Sequence, residues 1–179
     1  PQGSFGYDLE QLSKYHKDLL VLGQDSSGPQ VLIAPAYQGR VMTSTAEGLA
    51  GKSFGWVNHE LISSGKLQPH MNAFGGEERI WLGPEGGQFS FFFKKGVPFT
   101  FENWFVPKEM DTEPYDVKYS DNNEAVFEKR MELVNYSGVP FNIKVQRRIK
   151  LLGRTAVDSV LGLQLPTELK LVGFESDNS

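Results

Sequence analysis

The chain of 179 residues contains no cysteine. That removes a disulfide framework, a thiolate metal site and a cysteine nucleophile together. Histidine is scarce: His16, His59 and His70 complete the set, and no two have the i, i+4 or close-loop spacing of a zinc site. No metal and no cofactor is therefore expected. No apolar run reaches the roughly 20 residues of a membrane span, and no signal sequence opens the chain. Eighteen Lys and Arg face 22 Asp and Glu, for a net charge of −4, and the densest basic stretch is only Arg147, Arg148 and Lys150. Nucleic acid is thus not an expected partner. A Gly-Lys-Ser/Thr phosphate loop, a dinucleotide fingerprint and a Gly-x-Ser-x-Gly elbow are all missing, which disfavours nucleotide-dependent and serine-hydrolase chemistry. There is no internal repeat and no low-complexity segment.

What is present suits a folded domain. With 39% apolar and 22% charged residues the composition is globular. A chain of this length buries roughly 70% of its unfolded surface in one domain, taken here as residues 1–179. One helix is expected at the start, capped by Asp8 and carried by Leu9, Leu12, His16, Leu19 and Leu20; a short second one is expected over Asn58–Ser63. The rest reads as strand between Gly and Pro breaks: Val31–Ile33, Arg40–Thr45, Phe54–Val57, Ile80–Leu82, Phe89–Phe93 and Phe99–Phe105. The clearest unit is a hairpin over Asn123–Leu152 that turns at Asn135–Gly138. On its second arm Phe141, Ile143, Val145, Ile149 and Leu151 share one face, and Asn142, Lys144, Gln146, Arg148 and Lys150 share the other. A last strand is expected over Glu168–Phe174. The fold class is mainly β, with strands long enough for a sandwich. The start at Pro1 reads as the loss of an upstream segment. The stop just after a strand reads as the N-terminal portion of a longer sequence, because it would leave an unpaired edge.

The segment most suggestive of function is Phe74–Phe93, FGGEERIWLGPEGGQFSFFF. Two glycine pairs frame Glu77, Glu78, Arg79, Trp81 and Glu85, and such glycines mark turns or close backbone approaches. Glu85 reads either as a solvated turn residue or as an acid, base or polyol acceptor held by a rigid loop. Arg79 with Glu77 or Glu78 reads as a sugar-hydroxyl clamp or as a structural ion pair. Arg147 lies in the apolar register of its strand, and Lys129 does so on the facing arm, opposite or diagonal to it. Two cations on a core face need an acidic partner or an anionic ligand. His16 reads as packing or surface, whereas His70, just before the segment, is the one candidate general base. Trp56, Trp81 and Trp104 read as core, or as platforms for the apolar faces of sugar rings, with Trp104 in the more polar company. Asn135-Tyr136-Ser137 matches a glycosylation sequon.

Val31-Leu32-Ile33-Ala34-Pro35, Gly39-Arg40-Val41, Gly75-Gly76 and Trp81-Leu82-Gly83-Pro84-Glu85 together resemble the opening of galactose mutarotase-like proteins. Within that class the chain is similar to an uncharacterised bacterial group made as exported or lipid-anchored proteins. The resemblance implies an antiparallel β-supersandwich, of which this chain would be the N-terminal part with one or two short helices. It further implies a concave sugar-binding face, Arg40 and Arg79 at substrate-facing positions, a periplasmic or exported location, and room for a lipid anchor upstream of Pro1. Two points depart from aldose 1-epimerases: their His-Gly-Gly step is absent, since His70 precedes Gly75-Gly76, and their catalytic glutamate would fall beyond Ser179. Two functions are carried forward. One is sugar mutarotation or epimerisation, with His70 and Glu85 as acid and base and Arg40, Glu78, Arg79, Trp81, Trp104 and Arg147 binding substrate. The other is a non-catalytic carbohydrate-binding or structural domain of an exported glycan-utilisation system. An exposed acid paired with a histidine would favour the enzyme; an aromatic groove without that pair would favour the binder.

Overall fold

Period-two alternation builds the longest strands, as a half-buried antiparallel sheet requires. A computed structural model describes residues 1–179. The elements run α1 (Phe5–Ser13), β1 (Leu20–Leu22), β2 (Gln30–Ala34), β3 (Arg40–Thr45), α2 (His59–Ser64), α3 (Lys108–Asp111), β4 (Asp116–Ser120), β5 (Glu124–Val134), β6 (Pro140–Leu152), α4 (Arg154–Leu161) and β7 (Gly173–Asn178). The molecule is mainly β, with two antiparallel sheets ordered β1-β2-β3 and β4-β5-β6-β7. The expected hairpin is the β5–β6 pair, turning through Asn135–Val139. Ala125, Phe127, Met131 and Leu133 on β5 and Val145 and Ile149 on β6 face inward. They meet Leu22, Val31, Ile33 and Val41 of the smaller sheet in one core, which makes the arrangement a β-sandwich.

The smaller sheet is covered on its second face as well. Leu32 and Met42 pack with Phe5 and Leu12 of α1, Ile62 of α2 and Phe74. Hence every residue of β2 and β3 is buried. Asp8 fastens this layer: its carboxylate accepts from the Ser53 hydroxyl and meets His59 Nε2 at 2.7 Å. The close spacing of the two sheets shows at Gly39, where φ is +62° and a Cβ would lie 2.9 Å from the Phe127 ring.

Several expectations are corrected. Ser4 caps α1, accepting from Tyr7 N at 3.3 Å, and Asp8 lies inside the helix. The helix stops at Ser13; Leu20 and Leu22 pair instead with Ile33 and Val31, because strand pairing against β2 outweighs helical spacing. The aromatic runs Ile80–Leu82, Phe89–Phe93 and Phe99–Phe105 are not strands. Breaks at Gly83-Pro84, Gly86-Gly87 and Gly96 interrupt them, and their amides and carbonyls pair singly across loops, as in Phe105 N to Phe92 O at 2.9 Å and Tyr136 N to Ser90 O at 2.7 Å. Phe92 and Phe93 are buried all the same. Phe54–Val57 likewise makes only the single bridge Val57–Gly75. The last strand is Gly173–Asn178 and not Glu168–Phe174: its polar residues pair along the edge of β6, with Ile149 opposite Ser176. The short β1, the wholly exposed β4, and α3 and α4 carry no pattern that the sequence reading picks up.

Lys129 lies opposite Val145 and diagonal to Arg147, as anticipated, and finds Glu113 at 2.6 Å. Hydrogen bonds from Lys108 and Lys129 hold the Glu113 carboxyl below its ordinary value of 4.5. A carboxylate with a lowered folded pKa stabilises the fold above the unfolded pKa and loses that contribution as pH falls through the folded one. Through the half-buried Lys129 pair, Glu113→Gln should cost about 1 kcal/mol at neutral pH, or about 2–4 °C in melting temperature. Thermal melts of both proteins across pH should converge in acid. A gap unchanged at low pH would exclude this ion pair as its source.

Candidate functional site

Glycine geometry places the Phe74–Phe93 segment. Gly75 adopts φ +90°, and a Cβ there would lie 2.1 Å from the Trp56 carbonyl, so only glycine lets the chain pass. Residues 77 and 78 then run along the free edge of β3, with Glu77 N bonded to Val41 O at 2.8 Å and Val41 N to Glu78 O at 3.1 Å. This lays the Glu78 carboxylate against Arg147, which is fully buried on β6. The guanidinium bonds both Glu78 oxygens, the Gly39 carbonyl at 3.0 Å and Asn178 Oδ1 at 2.8 Å. Ser176 completes the group by donating to Glu78 at 3.3 Å. Glu77 points the other way and takes the backbone N–H and hydroxyl of Ser44.

Arg40 lies inside the protein and Arg79 is half-buried. Arg40 is 2% exposed and donates to the Gly75 carbonyl at 2.9 Å, with its guanidinium about 6 Å from the ring centres of Tyr37 and Phe74 (6.0 and 5.9 Å). Burial, reinforced by the neighbouring Arg79 cation, pulls its pKa down to about 9, which leaves it charged at neutral pH. Arg79 donates to the Met110 carbonyl and stacks 4.4 Å from the Trp81 ring centre. Burial lowers its pKa too, against the opposing pull of Asp111.

From Trp81 a row of rings continues. Phe92 lies 5.2 Å from Trp81 and 5.8 Å from Trp104, nearly parallel to the latter. Phe101 follows at 6.3 Å from Trp104, and His70 packs 4.5 Å from both Phe101 and Phe105. His70 Nδ1 bonds the Trp104 carbonyl at 2.6 Å. Glu85 is at the other end, accepting from Trp81 Nε1 at 2.8 Å. The two expected acid–base residues thus occupy opposite ends of the row and do not bond each other. Trp56, read as core or platform, is 63% exposed.

Beside this row opens a cleft of about 560 Å³ between Phe91–Lys95, Asn103–Pro107 and the end of β5 at Glu132–Asn135. That is within the range of small-molecule sites. Phe91 and Phe105 give it apolar walls, and Phe105 is 44% exposed. Lys94, Lys95 and Glu132 lie at the rim, none of them in an ion pair. The amide of Asn103 donates to Pro98 and Thr100, which leaves its oxygen as an acceptor. Of the predicted site residues, Arg147 and Glu78 come together, Arg79 joins Trp81, and Trp104 and His70 back the cleft wall. Sequence reasoning missed Phe105, Lys94, Lys95 and Glu132. Their only signal was the polar setting of Glu102-Asn103-Trp104-Phe105, because Glu132 reaches the cleft through the hairpin. No group of His, Asp and Glu is arranged to hold a metal ion.

Breaking the buried pair from one side leaves the other partner unsatisfied. Arg147→Met should cost about 3–5 kcal/mol, and the double variant Arg147→Met/Glu78→Gln less than the sum of its parts. Urea unfolding of the cycle measures this; simple additivity would show that the two side chains are not coupled.

No curated protein and no solved structure matches this chain. A family model does, over residues 3–179. With nearly the whole chain matched, the protein belongs to the family described as "Family of unknown function (DUF6786)".

Proposed function

We propose that this protein binds carbohydrate, and that the cleft beside Phe105 receives the sugar. The observation that carries the reading is the composition of that cleft: the exposed Phe105 ring and the half-buried Phe91 ring next to an unpaired carboxylate, two unpaired ammonium groups and a free amide oxygen. A pyranose has an apolar C–H face and a rim of hydroxyls, so it calls for a ring wall with a few donors and acceptors around it. The resemblance of the sequence to galactose mutarotase-like proteins and the sandwich architecture support the same class, and an exported, periplasmic role in glycan use belongs with it. Binding is favoured over epimerisation within this chain because His70 and Glu85 lie at opposite ends of the ring row, each bonded to a tryptophan group, and neither lines the cleft. At about −0.3 kcal/mol per heavy atom, a monosaccharide should bind in the millimolar range and an oligosaccharide more tightly.

Titration of glucose, galactose and lactose, followed by backbone NMR to about 50 mM, should give saturable shifts at Phe91–Lys95 and Asn103–Pro107. Phe105→Ala should weaken binding about tenfold, since it removes a ring wall. Saturation exchange between α and β anomers in the same samples reads the alternative. Acceleration that is lost in His70→Gln would replace binding with catalysis. No saturable shift with any sugar, or shifts that ignore Phe105→Ala, would overturn the assignment.

A further inference from the structure

A second cleft, of about 400 Å³, lies on the far side of the smaller sheet between the end of α1, the turn at Ala36-Tyr37 and the C-terminus of α2. Its floor is the stacked pair Tyr37 and Phe74, with ring centres 4.0 Å apart and both rings buried. The Arg40 guanidinium beside both rings fixes their position. Leu61, Ile62 and Leu67 supply apolar walls, and Leu67 is 63% exposed.

One polar pair interrupts this surface: Tyr37 Oη and His16 Nε2 are 2.7 Å apart. Burial lowers the pKa of His16, against the nearby Asp18, and raises that of Tyr37 to about 12, so both are neutral at pH 7. A neutral pair shares one hydrogen and keeps another. If the phenol donates to Nε2, the imidazole keeps Nδ1–H; if Nε2–H donates, the phenol keeps its own hydrogen. In either tautomer one donor is left unspent at the base of an apolar cleft. At the mouth is Lys66, an ammonium in no ion pair, and no carboxylate lines the cavity.

An apolar floor, a spare donor and a cation at the entrance describe one kind of ligand. We propose that this cleft is a binding site for a small aromatic carboxylate, whose ring packs against the Tyr37–Phe74 floor and the walls of Leu61 and Leu67. The carboxylate is held by Lys66 and by the spare hydrogen of the His16–Tyr37 pair. The site is separate from the sugar cleft at Phe105 and shares no residue with it.

Calorimetry and backbone NMR with 2-naphthoate, on the full chain, test this directly. Saturable binding with shifts at Tyr15–His16, Ala36–Tyr37 and Leu61–Leu67 is the expected result. The neutral 2-naphthalenemethanol should bind about tenfold more weakly, and Lys66→Gln and the double variant Tyr37→Phe/His16→Phe, which alone removes the spare hydrogen in both tautomers, should each weaken naphthoate binding by a similar factor. Lys66 is exposed, so its variant reports even if the double variant fails to fold. Absence of saturable binding overturns the proposal. So does equal affinity for acid and alcohol, binding indifferent to Lys66→Gln, or shifts confined to the Phe105 cleft.

Discussion

A guanidinium buried beyond the reach of water must be answered on every side, and the sandwich is arranged around one such answer. Arg147 projects from β6 into the core at a position its neighbours fill with Val145 and Ile149. It satisfies that position by reaching the Gly39 carbonyl of the smaller sheet, the Glu78 carboxylate on the strand-like edge beside β3, and Asn178 on β7. One side chain therefore ties together three separate stretches of chain. The desolvation penalty makes each tie obligatory: with any partner removed, a buried charge or carbonyl stands unpaired. Gly39 lies where the same geometry leaves no room for a Cβ, against the Phe127 ring directly opposite Arg147.

That clamp explains why the glycine-framed segment looks functional in sequence yet begins as structure. Gly75 exists to pass the Trp56 carbonyl, and Glu77 and Glu78 exist to serve Ser44 and Arg147. Beyond Arg79 the segment changes character. It stops following the sheet, and its Trp81 and Phe92 join Trp104 and Phe101 in the row of rings. The row is rigid because the rings contact one another and because Phe92 and Phe93 are buried in the shared core. Rigid rings backing an open cleft are what a weak, apolar-faced ligand needs, since little ordering entropy remains to be lost on binding.

The two clefts differ in chemistry as well as in place. The one by Phe105 has charges of both signs at its rim, which suits the proposed polyhydroxylated ligand. The one by Tyr37 has an apolar floor, a single cation and one spare hydrogen, which suits a flat anion. An arginine lies behind each: the half-buried Arg79 stacks on Trp81 behind the first, and the buried Arg40 lies against Tyr37 and Phe74 behind the second.

By itself the sequence determined what repeats locally. The β5–β6 hairpin and the anomaly of Arg147 follow from period-two spacing, which the backbone imposes wherever one face is buried, and β3 follows from a β-branched run between breaks. The sign of the charge problem at Arg147 and Lys129 was equally legible, because a cation in an apolar register needs an anion somewhere. Which anion was decided by the tertiary structure: Glu78 and Glu113 lie 69 and 16 residues away. Aromatic runs such as Phe89–Phe93 misled, since ring burial satisfies the hydrophobic effect without a ladder of hydrogen bonds. The clefts lay wholly outside the sequence's reach. Phe105 and Glu132, or His16 and Tyr37, become neighbours only when loops and hairpin fold together, and no local period records that meeting.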